Sequence, residues 1–270
     1  MRNLFSYIVP VRRVTYMTLG LIDRAVLRTH NPIFIISYHS VANDTWRFSI
    51  NEENVKKQII YLKKHFEIIN LKSLGFYLQG KKEITKPSVV ITFDDGYKDI
   101  LKLKTFFAEQ KITPALFVLS DAKHPNISEM KTKRPFLTIK EIQILKKNGW
   151  EIGCHSATHA NLSTVSLQSL RKEVSGAKKE LEKSLGFSIP YFAYPRGQYN
   201  QAVLKEVKNA SYQLGLTMDD GLIKRSSDPL LLPRIGIDRS HTFSEFVTTF
   251  SPSVVKLRAV IKKSPAGKYL

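Results

Sequence analysis

The amino-acid sequence predicts an α/β domain built from parallel β/α units. Short apolar runs rich in β-branched and aromatic residues, which are typical of buried strands, alternate along the chain with amphipathic helical patterns. A chain of 270 residues, of which 43% are hydrophobic, is long enough to enclose one sizeable core. The sequence contains no internal repeats or low-complexity linkers, so we expect one large domain with short extensions.

The predicted elements follow one another at the spacing of β/α units. In chain order, the patterns predict strands over 33–40, 66–71, 88–93, 114–119, 149–153 and 191–195, and helices over 49–64, 100–110, 138–148 and 167–185. Capping boxes predict where two of these helices begin, Ser49 with Glu52 and Thr138 with Glu141. The polar stretch 120–135 is predicted to be a surface loop.

Two adjacent carboxylates follow the apolar strand predicted over 88–93. Neighbouring side chains of a strand point to opposite faces, so Asp94 and Asp95 can serve one site only if the chain turns there, which Gly96 permits. Two like charges this close repel each other unless a cation neutralises one of them, which leaves the other free to act as a base. The alternative interpretation is a solvated Asp-Gly turn.

A pair of histidines follows another predicted strand, 149–153. His155 and His159 are spaced i, i+4, one helical turn apart, and this spacing lets two imidazoles converge on one metal. With Asp95 they would form a facial set that leaves positions open for water and substrate. Cys154, the only cysteine, excludes an internal disulfide and is expected to be buried and to face away from the site.

These residues resemble two sequence motifs of a known family. The segments 92–96 (TFDDG) and 155–159 (HSATH), the latter followed by 161–163 (NLS), are similar to the first two motifs of the polysaccharide deacetylases of carbohydrate esterase family four, the NodB-homology domain. The resemblance covers roughly 33–237. It implies an irregular (β/α) barrel and metal-assisted hydrolysis of an acetyl group from a sugar.

The same resemblance implies a role for each motif residue. It makes Asp94 the catalytic base, and it makes Asp95, His155 and His159 the ligands of a divalent metal, usually zinc. The segment 191–200 (YFAYPRGQYN) resembles the third family motif, although the usual arginine before the proline is missing.

Three further residues are assigned by alignment with the family. Aligned on the proline of the third motif, the Arg196 N–H is the expected oxyanion donor, and its side chain either reaches the site or merely follows the strand. The chain also looks similar to the poly-N-acetylglucosamine deacetylase branch, in which a Tyr-His pair on the first strand supplies the general acid. That role falls to His39, the alternative being a structural histidine. The segment 232–235 (LPRI) resembles a late element of this branch, so Arg234 is expected to orient Asp94.

The formal charge of +19, from 42 basic and 23 acidic residues, predicts a polyanionic neighbour. No zinc finger, recognition-helix pattern or basic–aromatic interleaving supports nucleic acid. We therefore divide the chain into a basic amphipathic N-terminal extension (1–30), a polysaccharide deacetylase catalytic domain (31–250) and a basic C-terminal tail (251–270). The basic residues of the two ends that we expect at an anionic lipid surface are Arg2, Arg12, Arg13, Arg24, Arg28, Lys256, Arg258, Lys262 and Lys263.

Neither end has an apolar run of about 18 residues that could span a bilayer. Pro10, Arg12 and Arg13 interrupt the first apolar region, which argues against a secretory signal. We therefore expect a cytoplasmic protein, peripheral on the inner face of the cytoplasmic membrane. The alternative is that both ends are helices packed on the barrel with basic outer faces.

The sequence as a whole predicts a metal-dependent hydrolase that removes acetyl groups from N-acetylated sugars of a polysaccharide or lipid-linked glycan and releases acetate. One alternative is an O-acetyl esterase or a non-sugar amidohydrolase of the same fold. Another is a catalytically inactive carbohydrate-binding protein, and the presence of Asp94, Asp95, His155 and His159 speaks against it. The pattern also predicts that Asp219 and Asp220 form a turn.

Overall fold

A computed structural model of the chain describes residues 12, 14–20, 23, 31–262 and 264. Its sheet has the strand order β7-β6-β5-β4-β3-β1-β8, with β2 pairing beside β3, and every pair of these strands is parallel. The strands are β1 (Ile33–Tyr38), β2 (Glu67–Ile68), β3 (Ser88–Phe93), β4 (Ala115–Val118), β5 (Glu151–Cys154), β6 (Tyr191–Ala193), β7 (Leu214–Leu216) and β8 (Ile235–Gly236).

One short segment near the end of the domain closes this sheet. Leu232 bridges to Leu216 in β7, and its amide donates to the Gly215 carbonyl at 2.8 Å. Three residues later, β8 pairs with Ile36 and Ser37 of β1. Because this segment pairs with β1 at one point and with β7 at another, the sheet closes into an irregular (β/α) barrel, and the predicted fold class is confirmed.

Ten helices pack on the outside of the barrel in the described residues, and the last two follow β8. They are α1 (Glu52–His65), α2 (Leu71–Leu78), α3 (Lys104–Gln110), α4 (Ile127–Met130), α5 (Ile139–Lys147), α6 (Leu167–Arg171), α7 (Ala177–Leu185), α8 (Gln201–Asn209), α9 (Phe243–Thr249) and α10 (Pro252–Lys262). A 3₁₀ helix (Lys98–Leu103) precedes α3, and a π-helical turn (Lys172–Gly176) joins α6 to α7. None of the helices in the described residues is long and apolar enough to cross a bilayer.

Two sequence-based boundaries are wrong for identifiable reasons. The strand predicted over 66–71 is only Glu67–Ile68, because the Asn70 side chain accepts from the Ser73 amide and begins α2. Helix α1 is capped by Asn51 rather than by a box that starts at Ser49. The capping box of Thr138 with Glu141 is confirmed. The stretch predicted as a loop over 120–135 contains the short helix α4.

The strands separate two apolar layers. Residues such as Phe34, Ile36 and Phe93 pack between the strands and the helices, whereas Ile35 and Phe117 belong to a second cluster inside the barrel. This alternation is the period of two expected of strand side chains. Cys154 is buried in the outer cluster, as predicted, and therefore faces away from the barrel interior.

Helix α10 packs on the barrel instead of standing apart as a basic tail. Arg258 in α10 is buried, and its Nε donates to Asp220 Oδ1 at 2.8 Å. Arg12 is also buried, and its Nε donates to Glu245 Oε1 at 3.1 Å. The expectation that Arg12 and Arg258 face lipid is therefore wrong, since each neutralises a buried carboxylate. The chain does bend at Asp219, and Asp220 has φ 42°, while the Asp220 carboxylate is buried in the ion pair with Arg258.

The remaining predictions on the chain ends have different outcomes. Arg2, Arg13, Arg24, Arg28 and Lys263 lie outside the described residues. Lys262 is half-buried and also pairs with Asp220, whereas Lys256 is exposed. The division of the chain at residues 30 and 250 stays a prediction.

Candidate functional site

Two adjacent carboxylates reach one site because the backbone reverses at the end of β3. The Asp94 amide donates to the Tyr38 carbonyl at 2.9 Å, which ties the end of β3 to the end of β1. Asp95 has φ 70° and Gly96 has φ 75°, so both adopt the left-handed conformation. A Cβ on Gly96 would lie 3.0 Å from the Val118 side chain, so the turn also needs the small residue.

Asp94 forms a buried, two-pronged ion pair with Arg234. The Arg234 guanidinium donates to Asp94 Oδ1 at 2.7 Å and to Oδ2 at 2.8 Å, and both side chains are almost fully buried. Burial alone would raise the pKa of Asp94, but the guanidinium beside it holds that pKa well below its ordinary value. Asp94 is therefore anionic at neutral pH and fixed in orientation.

Arg234 is itself held by groups inside the barrel. Its Nε donates to the Thr217 carbonyl at 3.0 Å, and its Nη1 donates to Thr92 Oγ1 at 3.2 Å. Ser37 contacts both members of the Asp94–Arg234 pair. Its hydroxyl donates to Asp94 Oδ2 at 3.1 Å and lies 3.4 Å from Arg234 Nη1. Ser37 and Thr92 are register partners in β1 and β3. Neither hydroxyl was predicted to act at the site, although a hydroxyl inside an otherwise apolar strand is a usable signal.

Replacing Arg234 with methionine is expected to destabilise the fold by about 3–5 kcal/mol, because the buried Asp94 charge would lose its partner. Denaturant titration at pH 7 measures this free energy of unfolding. A carboxyl whose pKa is lowered on folding adds stability above its unfolded pKa of about 3.9, and that stability is lost as the pH falls. The deficit of the variant should therefore shrink at acidic pH.

The matched control for this prediction is Arg171→Met. Arg171 is exposed at the end of α6. Substitutions at such surface positions usually change stability by less than about 0.5 kcal/mol, so the control should unfold close to the wild type. Equal losses in both variants would contradict the structural importance of the Asp94–Arg234 pair.

Asp95 faces a pair of imidazoles. Its Oδ1 lies 3.4 Å from His155 Nε2 and 3.5 Å from His159 Nε2, and all three residues are buried. His155 Nδ1 lies 2.8 Å from the Ala193 carbonyl, so it carries the proton and leaves Nε2 as the free lone pair. Burial lowers the pKa of His155 to about 4, which keeps the ring neutral at pH 7.

These three residues fit a divalent metal. One ligand atom from each can be chosen so that all lie within 4.8 Å of one another. Asp95 Oδ1 is buried and has no hydrogen-bond partner among the described residues, which is costly unless a cation binds there. Neutral imidazole nitrogens and a carboxylate oxygen are the ligands that catalytic zinc sites use.

The i, i+4 spacing predicted that the two histidines converge through a helical turn. In the structure they converge through an irregular loop instead. Residues 155–159 follow β5 without helical structure. Ser156 and His159 have φ values of 69° and 66°, and the His159 amide donates to Ser156 Oγ at 2.9 Å. We name residues 155–159 the histidine loop.

His39 and Arg196 have different surroundings. His39 directly follows β1 and is near enough for its charge to contribute to the lowered pKa of Asp94. Its ring packs on Phe48 with a centroid distance of 4.8 Å, and its buried Nδ1 has no partner among the described residues. Arg196 adopts φ 57° after Pro195, and its half-exposed side chain pairs with Glu129 of α4.

An aromatic group beside the candidate metal ligands was not predicted from the sequence. Tyr97 is fully buried; burial and the neighbouring Asp95 raise the pKa of its hydroxyl far above the ordinary value. Trp46 packs edge-on against Tyr97 at 5.5 Å, and the Arg134 guanidinium lies 4.9 Å from the Trp46 ring centre. Tyr97 also stacks on Phe136. Their positions in loops gave no periodic signal that could have grouped them.

The chain is similar to known proteins in sequence and in fold. The family model described as polysaccharide deacetylase matches residues 81–229. This range includes Asp94, Asp95, His155 and His159 but excludes His39 and Arg234. YxkH of Bacillus subtilis (strain 168) is 22% identical over 229 residues, which are 82% of this chain and 78% of that protein.

Two further relatives extend the comparison. The poly-beta-1,6-N-acetyl-D-glucosamine N-deacetylase of Staphylococcus aureus (strain MRSA252) is 25% identical over 212 residues, 74% of this chain and 71% of that protein. The structure of Streptococcus pyogenes deacetylase PplD in complex with acetate superposes with a TM-score of 0.70 at 22% identity, covering 82% of this chain and 99% of that one. The structural likeness shows a shared fold.

Proposed function

Because this chain belongs to the polysaccharide deacetylase family, we propose that it is a metal-dependent hydrolase that removes acetyl groups from N-acetylated sugars of a glycan and releases acetate. One observation carries the proposal. Two adjacent carboxylates have different partners, since Asp94 is bound by Arg234 whereas Asp95 faces His155 and His159. Such an arrangement separates a base from a metal ligand.

Asp95, His155 and His159 would hold the metal, and we propose zinc because the donor set matches catalytic zinc sites. When bound, the ion supplies Lewis-acid chemistry to the acetyl carbonyl and to the attacking water. The Nδ1 contact of His155 with the Ala193 carbonyl fixes the ring that would bind it. Burial of all three ligands limits competition from bulk water.

Asp94 would act as the general base. It is ionised at neutral pH, and the Arg234 guanidinium donates to both of its carboxylate oxygens. The pair keeps the carboxylate aimed at one position, where it accepts the proton of the attacking water. The Ser37 hydroxyl restrains Oδ2 further.

His39 and Arg196 would complete the acetyl transfer to water. His39, at the end of β1 beside the end of β3, would protonate the leaving amine as the carbon–nitrogen bond breaks. The side chain of Arg196 pairs with Glu129, so the contribution we propose for Arg196 is its backbone N–H, donated to the oxyanion. The products are acetate and a free amino sugar.

The test is acetate release from a defined panel of substrates. The panel holds N-acetylated oligosaccharides, including β-1,6-linked N-acetylglucosamine oligomers, together with lipid-linked N-acetyl sugars and O-acetylated sugars. We expect release from N-acetylated members, loss of release after a chelator, and recovery on adding Zn²⁺. Release from O-acetylated members alone would make the protein an esterase, and release that resists the chelator would remove the metal from the proposal.

We further propose that the protein attaches to an anionic membrane surface through its chain ends. The formal charge of +19 favours such a partner. On α10, the exposed Lys256 and Val260 lie one turn apart on the side opposite the buried Val254, Val255 and Arg258. A basic residue near an anionic surface contributes about 1 kcal/mol of binding.

The double variant Lys256→Glu/Val260→Asp is expected to weaken sedimentation with anionic vesicles several-fold, while hydrolysis of a small soluble substrate continues. Binding of the wild type should fall as salt is raised and should be absent from neutral vesicles. The control is Lys183→Glu, a charge reversal at an exposed position of α7. Equal binding of wild type to neutral and anionic vesicles would refute an electrostatic membrane contact.

A further inference from the structure

A buried carboxylate outside the site contacts the histidine loop directly. Glu173 is only 8% exposed, and its Oε2 accepts from the amides of Ala157 and Thr158, both at 3.0 Å. Its Oε1 accepts from Thr158 Oγ1 at 2.7 Å. Three donors of the loop therefore converge on one side chain, and bonds to a charged acceptor are stronger than those to a neutral one.

The loop conformation needs such support. Ser156 and His159 are both in the left-handed region, which is unfavourable for residues other than glycine unless the surroundings impose it. The carbonyl groups of the loop accept hydrogen bonds from a different segment of the chain. For example, the Asn126 amide donates to the Thr158 carbonyl at 2.7 Å. Glu173 supplies the acceptors that complete the backbone hydrogen bonding of Ala157 and Thr158.

His159 depends on this loop more than His155 does. The ring of His155 is oriented by its own contact with the Ala193 carbonyl. The buried Nδ1 of His159 has no partner in the described part of the chain, so the placement of this ring follows from the backbone on either side of it. A shift of Ala157 and Thr158 would therefore move a proposed metal ligand.

The helix that carries Glu173 is irregular at this residue. Between α6 and α7 the chain forms a π-helical turn over Lys172–Gly176, and Glu173 and Val174 are both buried in it. Turns of this type insert an extra residue into an α-helix and are frequent at functional sites. Here the insertion coincides with the side chain that meets the histidine loop.

We propose that Glu173 is a positioning residue that sets the geometry of the metal ligands through the histidine loop. The inference rests on the proposed metal-dependent function. Glu173 touches neither the metal ligands' donor atoms nor Asp94 in the structure; it acts on the peptide groups between His155 and His159. Its substitution should therefore change metal affinity and ligand geometry more than any other property of the site.

The test uses Glu173→Gln, which keeps the size of the side chain but turns an N–H group towards loop donors. Competition with a chromophoric chelator measures the Zn²⁺ dissociation constant of the purified chain, and the visible spectrum of the Co²⁺-loaded protein reports ligand geometry. We expect Zn²⁺ binding to weaken by about 10–100-fold, with a changed Co²⁺ spectrum. Glu180→Gln, at an exposed position of α7, is the matched control and should behave as wild type.

A second variant covers the case in which Glu173→Gln does not fold. Thr158→Val removes only the hydroxyl donor and leaves both amide bonds, so we expect a smaller loss of Zn²⁺ affinity that still exceeds that of the control. Wild-type affinity and an unchanged Co²⁺ spectrum in whichever variant folds would overturn the role of Glu173. Failure of the wild type itself to bind metal would instead refute the proposed function, because neither readout requires hydrolysis.

Discussion

Changing His155 and His159 together to alanine is expected to abolish tight, stoichiometric metal binding and acetate release while the barrel stays folded. The two Nε2 atoms and Asp95 Oδ1 are the only group of three acidic, histidine or cysteine ligands that converge within the described residues. A single remaining carboxylate cannot hold Zn²⁺ tightly. The fold should survive, since the apolar clusters on both sides of the strands do not include either histidine.

Metal analysis after exhaustive dialysis measures the first part of this prediction, and acetate release measures the second. The matched control is His65→Ala/His124→Ala, which removes two exposed imidazoles. Circular dichroism and a cooperative unfolding transition check that the site variant is folded. Full metal occupancy in the His155/His159 variant would contradict the proposal that these histidines bind the metal.

The convergence of Asp95, His155 and His159 could be predicted because the sequence places these residues at strand ends. The runs that become β3 and β5 are apolar, and polar residues follow each of them directly. Carboxyl ends of parallel strands meet at one end of a barrel, so Asp95 and His155 had to lie near one another once the strands were identified. The fold class follows from the same strand–helix alternation.

The geometry of the histidine loop could not be predicted from spacing. An i, i+4 pair suggests a helical turn, yet the loop reaches the same convergence with left-handed residues at Ser156 and His159. Which backbone a short polar segment adopts depends on its tertiary hydrogen bonds, here with Glu173 and with residues 120–126. Those partners are distant in sequence, and no local pattern points to them.

The chain ends show the same limit for charged residues. From the sequence we expected Arg12 and Arg258 at the surface. In the structure both are buried, in ion pairs with Glu245 and Asp220. A basic residue in an amphipathic pattern can bury its guanidinium against a carboxylate whose position only the fold reveals. Arg234 is different, because its family resemblance, rather than its local sequence, pointed to Asp94.

Asp94→Asn is expected to keep its metal yet lose roughly 10²–10⁴-fold in kcat, because it removes the proposed general base and leaves the proposed ligand set intact. The amide also leaves the Arg234 charge without its buried counterion, so activity must be measured at a temperature where the variant is folded. Asp95→Asn should instead bind Zn²⁺ more weakly. Saturating Zn²⁺ should then restore part of its activity.

The contrast between these two variants is the informative quantity, since the residues are adjacent and the substitutions identical. In the structure their environments differ completely: Asp94 is bonded to Arg234, and Asp95 Oδ1 faces two imidazoles without a hydrogen bond. Metal content at equal total Zn²⁺, followed by kcat at saturating Zn²⁺, separates a lost base from a lost ligand. Asp228→Asn, at an exposed carboxylate, should match wild type in both measurements. If Asp94→Asn and Asp95→Asn have the same metal content, the division of roles between the two carboxylates is wrong.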